Sequence, residues 1–533
     1  MSDGIVLVGL PGSGKTTVGR CLAERLGRPF VDTDERVREL SGRTPAQLIE
    51  ESGETGFREV EARAVAAAIR EPHAVISVGG GAVSDPLNRW RLWGHGTAAW
   101  LRAPEEVLAH RLRADPQPRP LVAGDTRRRL GELARTREPF YRAADVWLDA
   151  SPTPNAVVDQ LLTGRPVQPG PGRRLFDAQV ARHHLQGPTH GRVLLGRDVD
   201  AAMLEPLLSE LRFPRSSLIL DRRAAAALPG LVAALPTDRR LEIGGGERQK
   251  RPSRLVAILA WLAQEGAERS DAIFAMGGGT VGDLVGLAAA LYMRGAPLVH
   301  VPTTWLAQAD AALGGKVAID LPGAKNAVGA FWPAWATIAD VAALRALRRA
   351  RLLDGMAESL KSGLIGDPDL WELIERAGAA AIGGDEMARY AMVERAARVK
   401  LAVIEADPFE TGLRRQLNLG HTLGHALEVA SNYRLPHGAA VILGLRAVAH
   451  IAAGRGADPT LAPRIDDLAA RLGFTLRTDF DRAHVRRALT TDKKRVGGRL
   501  RWLLPMEVGR VEEVDDVSDR ELEQAMKLIA DDR

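Results

Sequence analysis

The chain has 533 residues, 45% hydrophobic and 26% charged, an ordinary globular composition sufficient for two to four domains. Its single cysteine, Cys21, excludes an internal disulfide and a cysteine-based zinc site, as suits a reducing cytoplasm. The formal net charge of +5 suits anionic ligands such as phosphates and carboxylates. No run of about 18 apolar residues occurs, and the start, MSDGIVLVGLPG, lacks the basic region and long apolar core of a signal peptide, so no membrane association is expected. No helix-turn-helix, zinc-finger or aromatic-plus-basic pattern occurs, so nucleic acid is not an expected partner.

In chain order, GIVLVGL reads as a buried strand, KTTVGRCLAERLG as a helix, and AVISVGGG and TAAWLRA as further buried strands. This βαβ rhythm predicts a parallel sheet covered by helices over residues 1–165, ending with a helix near Ala156–Leu162. The stretch TGRPVQPGPGRR, Thr163 to Arg174, is dense in proline and glycine and predicts a linker, taken as residues 166–190. Buried strands resume with RVLLG, SSLILD and DAIFAMGGG, giving an α/β half over 191–340. From about Ala342 the apolar residues recur at three- and four-residue spacing, so 341–533 is expected to be helical.

GLPGSGKT, Gly9 to Thr16, follows a strand and opens a helix. Gly12, Ser13, Gly14, Lys15, Thr16 and Thr17 are therefore candidates for a nucleotide's phosphates and Mg²⁺, because glycines let backbone N–H groups curl around phosphate oxygens. FVDTDE adds Asp32 and Asp34, GFREVE adds Arg58 and Glu61, and SVGGGAV adds Gly79, Gly80 and Gly81. PRPLV contributes Arg119, and TREPFY contributes Arg137. Each alone reads equally well as a solvated side chain or a turn; their combination and order carry the weight. Across residues 1–165 the chain resembles shikimate kinase, with gluconate kinase or another small P-loop kinase as the alternative. The resemblance implies that ATP is the nucleotide and that Asp34, Arg58, Gly80, Gly81 and Arg137 bind shikimate. It further implies that Asp34 orients the attacking hydroxyl, Asp32 helps to place Mg²⁺, and Arg119 closes over the phosphates.

AIFAMGGGTVGD ends a strand in Gly277, Gly278 and Gly279 and reaches Asp283; three glycines there permit close approach of a pyrophosphate, or simply a tight turn. Arg294, Thr303, Thr304, Asp310, Lys316, Lys325 and Asn326 follow, and the two lysines beside glycines or small residues suit loops that bind an anion. Glu358 and Lys361 share a helical face, as do His421 and His425; Arg414 and Asn418 precede them and His437 follows after a loop. One carboxylate and two imidazoles with an open position make a catalytic zinc set, while a helix using histidine as polar filler is the plainer reading.

From about Arg192 to the C-terminus this set resembles 3-dehydroquinate synthase. The resemblance implies that Glu358, His421 and His437 ligate Zn²⁺ or Co²⁺ while His425 faces the substrate. It implies that NAD contacts Asp221, Glu247, Lys250, Gly278, Gly279, Asp283, Thr303 and Thr304. The substrate, 3-deoxy-arabino-heptulosonate 7-phosphate, would be held by Arg294, Asp310, Lys316, Lys325, Asn326, Lys361, Arg414, Asn418, His425 and Lys493. Lys361, Arg414 and His425 are the implied catalytic residues here, beside Lys15, Asp34 and Arg119 in the kinase part. The family implies a homodimer through this part. The sequence departs from the family at Met293, at Ala439 in HGAAV, in GGKVAID and in ALRRARLL from Ala346. The expectation is thus a bifunctional shikimate-pathway enzyme; the alternatives are another sugar-phosphate cyclase, a dehydrogenase, or a chain with one inactive, regulatory half.

Overall fold

A computed structural model describes residues 4–114, 126–141, 144, 146–162, 173–179, 190–322, 324–407, 409–410, 412–490, 495–496 and 499–531. The chain folds as two compact units, Met1–Pro169 and Gly170–Arg533.

The first unit is built on five parallel strands: β1 Gly4–Val8, β2 Phe30–Asp32, β3 Val75–Ser77, β4 Gly96–Arg102 and β5 Val146–Asp149, in the order β2-β3-β1-β4-β5. All five residues of GIVLV in β1 are buried, because helices cover both faces of the sheet. The strand order reverses beside β1, so the crevice at its carboxyl end is the natural ligand position. The helix Lys15–Leu26 starts there, after Gly14 at φ 86°, a left-handed conformation that glycine adopts without steric cost.

The second unit carries β6 Arg173–Gln179, β7 His190–Gly196, β8 Ser216–Asp221, β9 Arg239–Ile243, β10 Ala272–Gly277 and β11 Leu298–Pro302. They are followed by the hairpin β12 Lys316–Leu321 with β13 Ala324–Phe331, and by β14 Ala336–Asp340. The large sheet runs β6-β7-β14-β11-β10-β8-β9, parallel except for β6. Its switch point lies between β8 and β10, again beside a strand that feeds directly into a helix, Gly279–Leu291. Helices then dominate, among them Arg349–Gly366, Glu386–Ala406, His421–Ala430 and His437–Ala453.

Three expectations need correction. The span read as a linker, 166–190, contains β6, which pairs antiparallel with β7. The part read as helical contains a ribbon, Trp502–Glu507 with Arg510–Val514, turned at Gly509 (φ 87°). Lys316 and Lys325 lie on the hairpin β12–β13 rather than in loops. In the ribbon, WLLPME is a nearly continuous buried run, and its antiparallel pairing with Arg510–Val514 prevails over helical spacing.

Candidate active sites

In the first unit, the phosphate loop leads from β1 into the first helix and lines a cavity of about 370 Å³ with Gly12, Gly14, Lys15, Thr16 and Thr17. Lys15 Nζ donates to the carbonyls of Gly9 (2.9 Å) and Leu10 (3.1 Å), so the ammonium is held over its own loop. Thr16 Oγ1 donates to Asp32 Oδ2 at 2.8 Å, and Asp32 Oδ1 caps the next helix by accepting from Asp34 N at 2.9 Å. A hydroxyl and a carboxylate thus converge beside the loop, the oxygen chemistry that Mg²⁺ prefers.

The run Gly79–Gly81 forms the opposite wall. A Cβ on Gly79 would stand 2.8 Å from Glu61 Oε1 and 3.1 Å from Asp34 Oδ1. One on Gly80 would lie 3.5 Å from Arg137 Nη1, and one on Gly81 only 2.3 Å from Arg58 Nη2. The glycines are what allow Asp34, Arg58 and Arg137 to crowd one backbone segment. Arg58 pairs with Glu61 at 2.6 Å and Glu54 at 2.8 Å. Burial raises the Glu61 carboxyl against the pull of Arg58, and Glu61 Oε1 has no hydrogen-bond partner among the described residues. Tyr141, which the sequence reading passed over, donates its hydroxyl to the Gly80 carbonyl from a fully buried position. Arg119 lies outside the described residues.

In the second unit, Asp221 ends β8 and caps the following helix by accepting from Arg223 N at 3.0 Å. A Cβ at Gly245 would come within 2.0 Å of Asp221 Oδ2, so only glycine lets the loop after β9 approach it. At the end of β10, Thr303 N donates to Gly277 O at 2.9 Å, and a Cβ on Gly278 would stand 3.0 Å from Thr304 Cγ2. Gly278 and Gly279 therefore present bare backbone at a helix N-terminus, a cradle that fits a dinucleotide's diphosphate. Glu247 accepts from Thr280 Oγ1 (3.2 Å), and Lys250 Nζ reaches Asp283 Oδ2 (2.7 Å) and Asn326 Oδ1. Burial pushes the Asp283 carboxyl up to about 6, with Lys250 opposing.

Close helix contacts assemble the metal-ligand candidates. A Cβ on Gly444 would collide with Gly420 O at 1.9 Å, and one on Gly424 would meet Ala440 O at 2.9 Å, so small residues bring the helices of His421 and His437 together. Gly438 N donates to Asp354 Oδ1 at 2.9 Å, seating His437 against the helix that carries Glu358. One donor atom each from Glu358, His421 and His437 lies within 4.8 Å of the others. Both imidazole Nε2 atoms face Glu358 Oε1 at 3.2 Å, while His421 Nδ1 lies 3.1 Å from Leu419 O and His437 Nδ1 lies 3.3 Å from Glu428 Oε1. A proton on each Nδ1 leaves both Nε2 lone pairs pointing inward, which fits a divalent ion. His425 stands outside this trio, its ring 5.1 Å from that of His421 and about half exposed.

Around the trio the cations are buried. Lys361 pairs with Glu358 and lies 3.8 Å from Asp310, which Lys400 meets at 2.8 Å. Burial disfavours charge on both lysines; in Lys361 the Glu358 and Asp310 carboxylates outweigh it and raise the pKa, whereas in Lys400 burial prevails and lowers it. Burial alone would raise Glu358, but Lys361 and His421 hold it well below the usual carboxylate range. Arg414 is 1% exposed and donates to Gly314 O at 2.9 Å. Glu410 pairs with Lys316 and accepts from Asn418 Nδ2 at 2.7 Å. Arg294 is exposed at φ 64°, and among the described residues no hydrogen bond or ion pair joins it to this cluster; Lys493 lies outside the described residues. Lys400, Glu410 and Glu428 were not singled out from sequence, although Glu428 stands seven residues after His421 on one helical face.

Fold and site define two classes of protein on one chain: a P-loop nucleotide-binding unit, then a unit with a dinucleotide cradle and a three-donor metal-ligand cluster. Models of the shikimate kinase family match residues 11–164; those of the 3-dehydroquinate synthase N-terminal and C-terminal parts match 240–354 and 355–495. The 3-dehydroquinate synthase of Symbiobacterium thermophilum is 38% identical over 66% of this chain and 94% of its own length. A 2-epi-valiolone synthase of Actinosynnema mirum is 37% identical over 62% of this chain and 89% of its own. Among solved structures, the 2-epi-5-epi-valiolone synthase of Streptomyces hygroscopicus subsp. jinggangensis, with NAD⁺ and Zn²⁺ bound, matches with a TM-score of 0.60. It is 27% identical and covers 65% of this chain and 99% of that one. The chain belongs to the 3-dehydroquinate synthase family and carries a shikimate kinase domain fused ahead of it.

Proposed function

We propose that the first unit uses ATP and Mg²⁺ to phosphorylate shikimate, and that the second converts 3-deoxy-arabino-heptulosonate 7-phosphate to 3-dehydroquinate and phosphate with NAD and a Zn²⁺ or Co²⁺ ion. In the kinase, Lys15 exchanges the Gly9 and Leu10 carbonyls for phosphate oxygens, and Thr16 with Asp32 holds Mg²⁺. Asp34 orients the attacking hydroxyl, and Arg58 with Arg137 grips the carboxylate; phosphoryl transfer needs mainly this positioning and charge cancellation.

In the synthase, Glu358, His421 and His437 would hold the ion, which when bound would supply Lewis-acid polarisation of the reacting oxygen, and the glycine cradle would hold NAD for reversible hydride acceptance. Arg414, Lys400, Lys361, Lys316, Lys325, Asn326 and Asn418 neutralise and position the substrate's phosphate and carboxylate, and Asp310 accepts from a hydroxyl. His425, half exposed beside the trio, completes the contacts. Glu410 occupies Lys316 and Asn418 until substrate displaces it. The observation that carries this reading is the trio Glu358, His421 and His437, with Lys361 against it and the glycine cradle in the same unit.

The test is phosphate release from the heptulosonate phosphate with NAD⁺ present, before chelation, after it, and with Zn²⁺ restored. Loss on chelation and recovery with Zn²⁺ supports the cyclase; no release with both cofactors bound sinks it. The carbocyclic product separates 3-dehydroquinate synthesis from its sister cyclisations. We also propose a cytoplasmic homodimer formed through the second unit, the assembly that the resemblance to 3-dehydroquinate synthase implies. Among the described residues no helix is long and apolar enough to cross a membrane.

A further inference from the structure

Glu428 is 4% exposed and belongs to neither the proposed metal ligands nor the proposed substrate groups. Its Oε1 lies 3.3 Å from His437 Nδ1 on one side and 3.8 Å from Lys325 Nζ on the other. Lys325, on the hairpin β12–β13, lies 3.4 Å from Glu247 Oε1, and Glu247 in turn accepts from Thr280 at the first turn of the cradle helix. A continuous chain of opposite charges therefore runs from the dinucleotide cradle to the back of one metal-ligand imidazole. The ammonium also lies 5.4 Å above the Tyr433 ring, which keeps it near both acids.

We infer that Glu428 is a positioning residue that fixes the tautomer and orientation of His437, and that Lys325 couples this role to occupation of the dinucleotide cradle. The inference rests on the metal and NAD sites proposed above. A carboxylate behind a ligating imidazole holds the proton on Nδ1 and makes Nε2 a better donor. A dinucleotide's diphosphate at Gly278 and Gly279 adds negative charge near Glu247 and draws Lys325 away from Glu428. The Glu428 carboxylate is then left to two imidazoles, His437 at 3.3 Å and the more distant His425 at 4.0 Å. Dinucleotide binding thus tightens metal binding, and by linkage metal binding tightens the dinucleotide to the same degree.

The experiment uses the full chain stripped of metal. Co²⁺ and Zn²⁺ are titrated against a chromophoric chelator with and without NAD⁺, for the wild type, Glu428→Gln and Lys325→Met. We expect NAD⁺ to tighten wild-type metal binding about fivefold or more. Glu428→Gln weakens it by about 10- to 100-fold and shifts the Co²⁺ visible absorption. Lys325→Met removes the NAD⁺ dependence. Unchanged affinity and Co²⁺ spectrum in Glu428→Gln would overturn the positioning role, and wild-type metal affinity indifferent to NAD⁺ would overturn the coupling. If the wild type takes up no metal at all, the metal-site reading itself falls, an outcome distinct from either. Glu428→Asp, which keeps the charge, should recover part of the affinity and guards against a Gln variant that fails to fold.

Discussion

The phosphate loop of the first unit and the metal-centred cluster of the second handle charge by opposite means. The kinase cradle is mostly backbone: glycines and a helix N-terminus drawn from one short run, with Lys15 reaching over it. The synthase site is mostly side chain: Glu358, Lys361, Asp310, Lys400 and Arg414 come from separate elements and neutralise one another out of water. A backbone cradle adds no buried charge and tolerates loss of its lysine as a fold. A buried charge network is costly to break, because removing one member leaves its partner desolvated and unpaired.

The largest effects should come from the chemistry itself. Lys15→Met is expected to lower shikimate phosphorylation by about 10³-fold and to leave phosphate release from the heptulosonate phosphate unchanged. Glu358→Gln should do the reverse, both read on the full chain. A joint loss of the two activities in either variant would refute independent sites. Stability sharpens the contrast. In metal-free protein Lys361→Met should cost about 3–5 kcal/mol in urea unfolding, since the buried Glu358 then loses its ammonium and keeps only the two imidazoles. Lys15→Met should cost under about 1 kcal/mol, because the Gly9 and Leu10 carbonyls and the Ser13 hydroxyl that it meets are neutral groups of its own loop. Equal losses would refute the contrast between a backbone cradle and a buried charge network.

Smaller effects probe the glycines. Gly79→Ala places a methyl 2.8 Å from Glu61 and 3.1 Å from Asp34, so KM for shikimate should rise about tenfold while KM for ATP stays within about twofold. A rise confined to ATP would refute that wall's assignment. The smallest effect concerns Asp283, whose carboxyl is raised to about 6 in the fold from an ordinary 3.8. The native state then binds more protons than the unfolded chain between those values. The contribution to stability is full below 3.8 and is lost as pH rises through 6. Asp283→Asn should therefore flatten the fall of Tm across that window in ligand-free protein; an unchanged slope would refute the shift.

Local order made the kinase cradle legible. GLPGSGKT lies between a fully buried strand and a helix, and those neighbours are set by apolar runs visible in one dimension. The same holds for Glu358 with Lys361 and for His421 with His425, whose spacings put each pair on one helical face. Lys400 was not legible: it sits in the middle of Glu386–Ala406, where a lysine in sequence looks like any solvated one, and only packing buries it against Asp310. The strand Arg173–Gln179 was likewise hidden, because proline and glycine around it imitate a linker.

By itself the sequence determined what depends on near neighbours: the two α/β rhythms, the phosphate loop, the glycine runs and the faces carrying acids and histidines. Which of three clustered histidines share a carboxylate follows in sequence only from the family resemblance; spacing leaves it open, and helix packing decides it. Tertiary structure also decided which buried lysine faces too little negative charge to keep its pKa from falling and which acid stands behind His437. Those outcomes turn on desolvation and on donor distances of a few ångströms between elements far apart in the chain, and no periodicity encodes either.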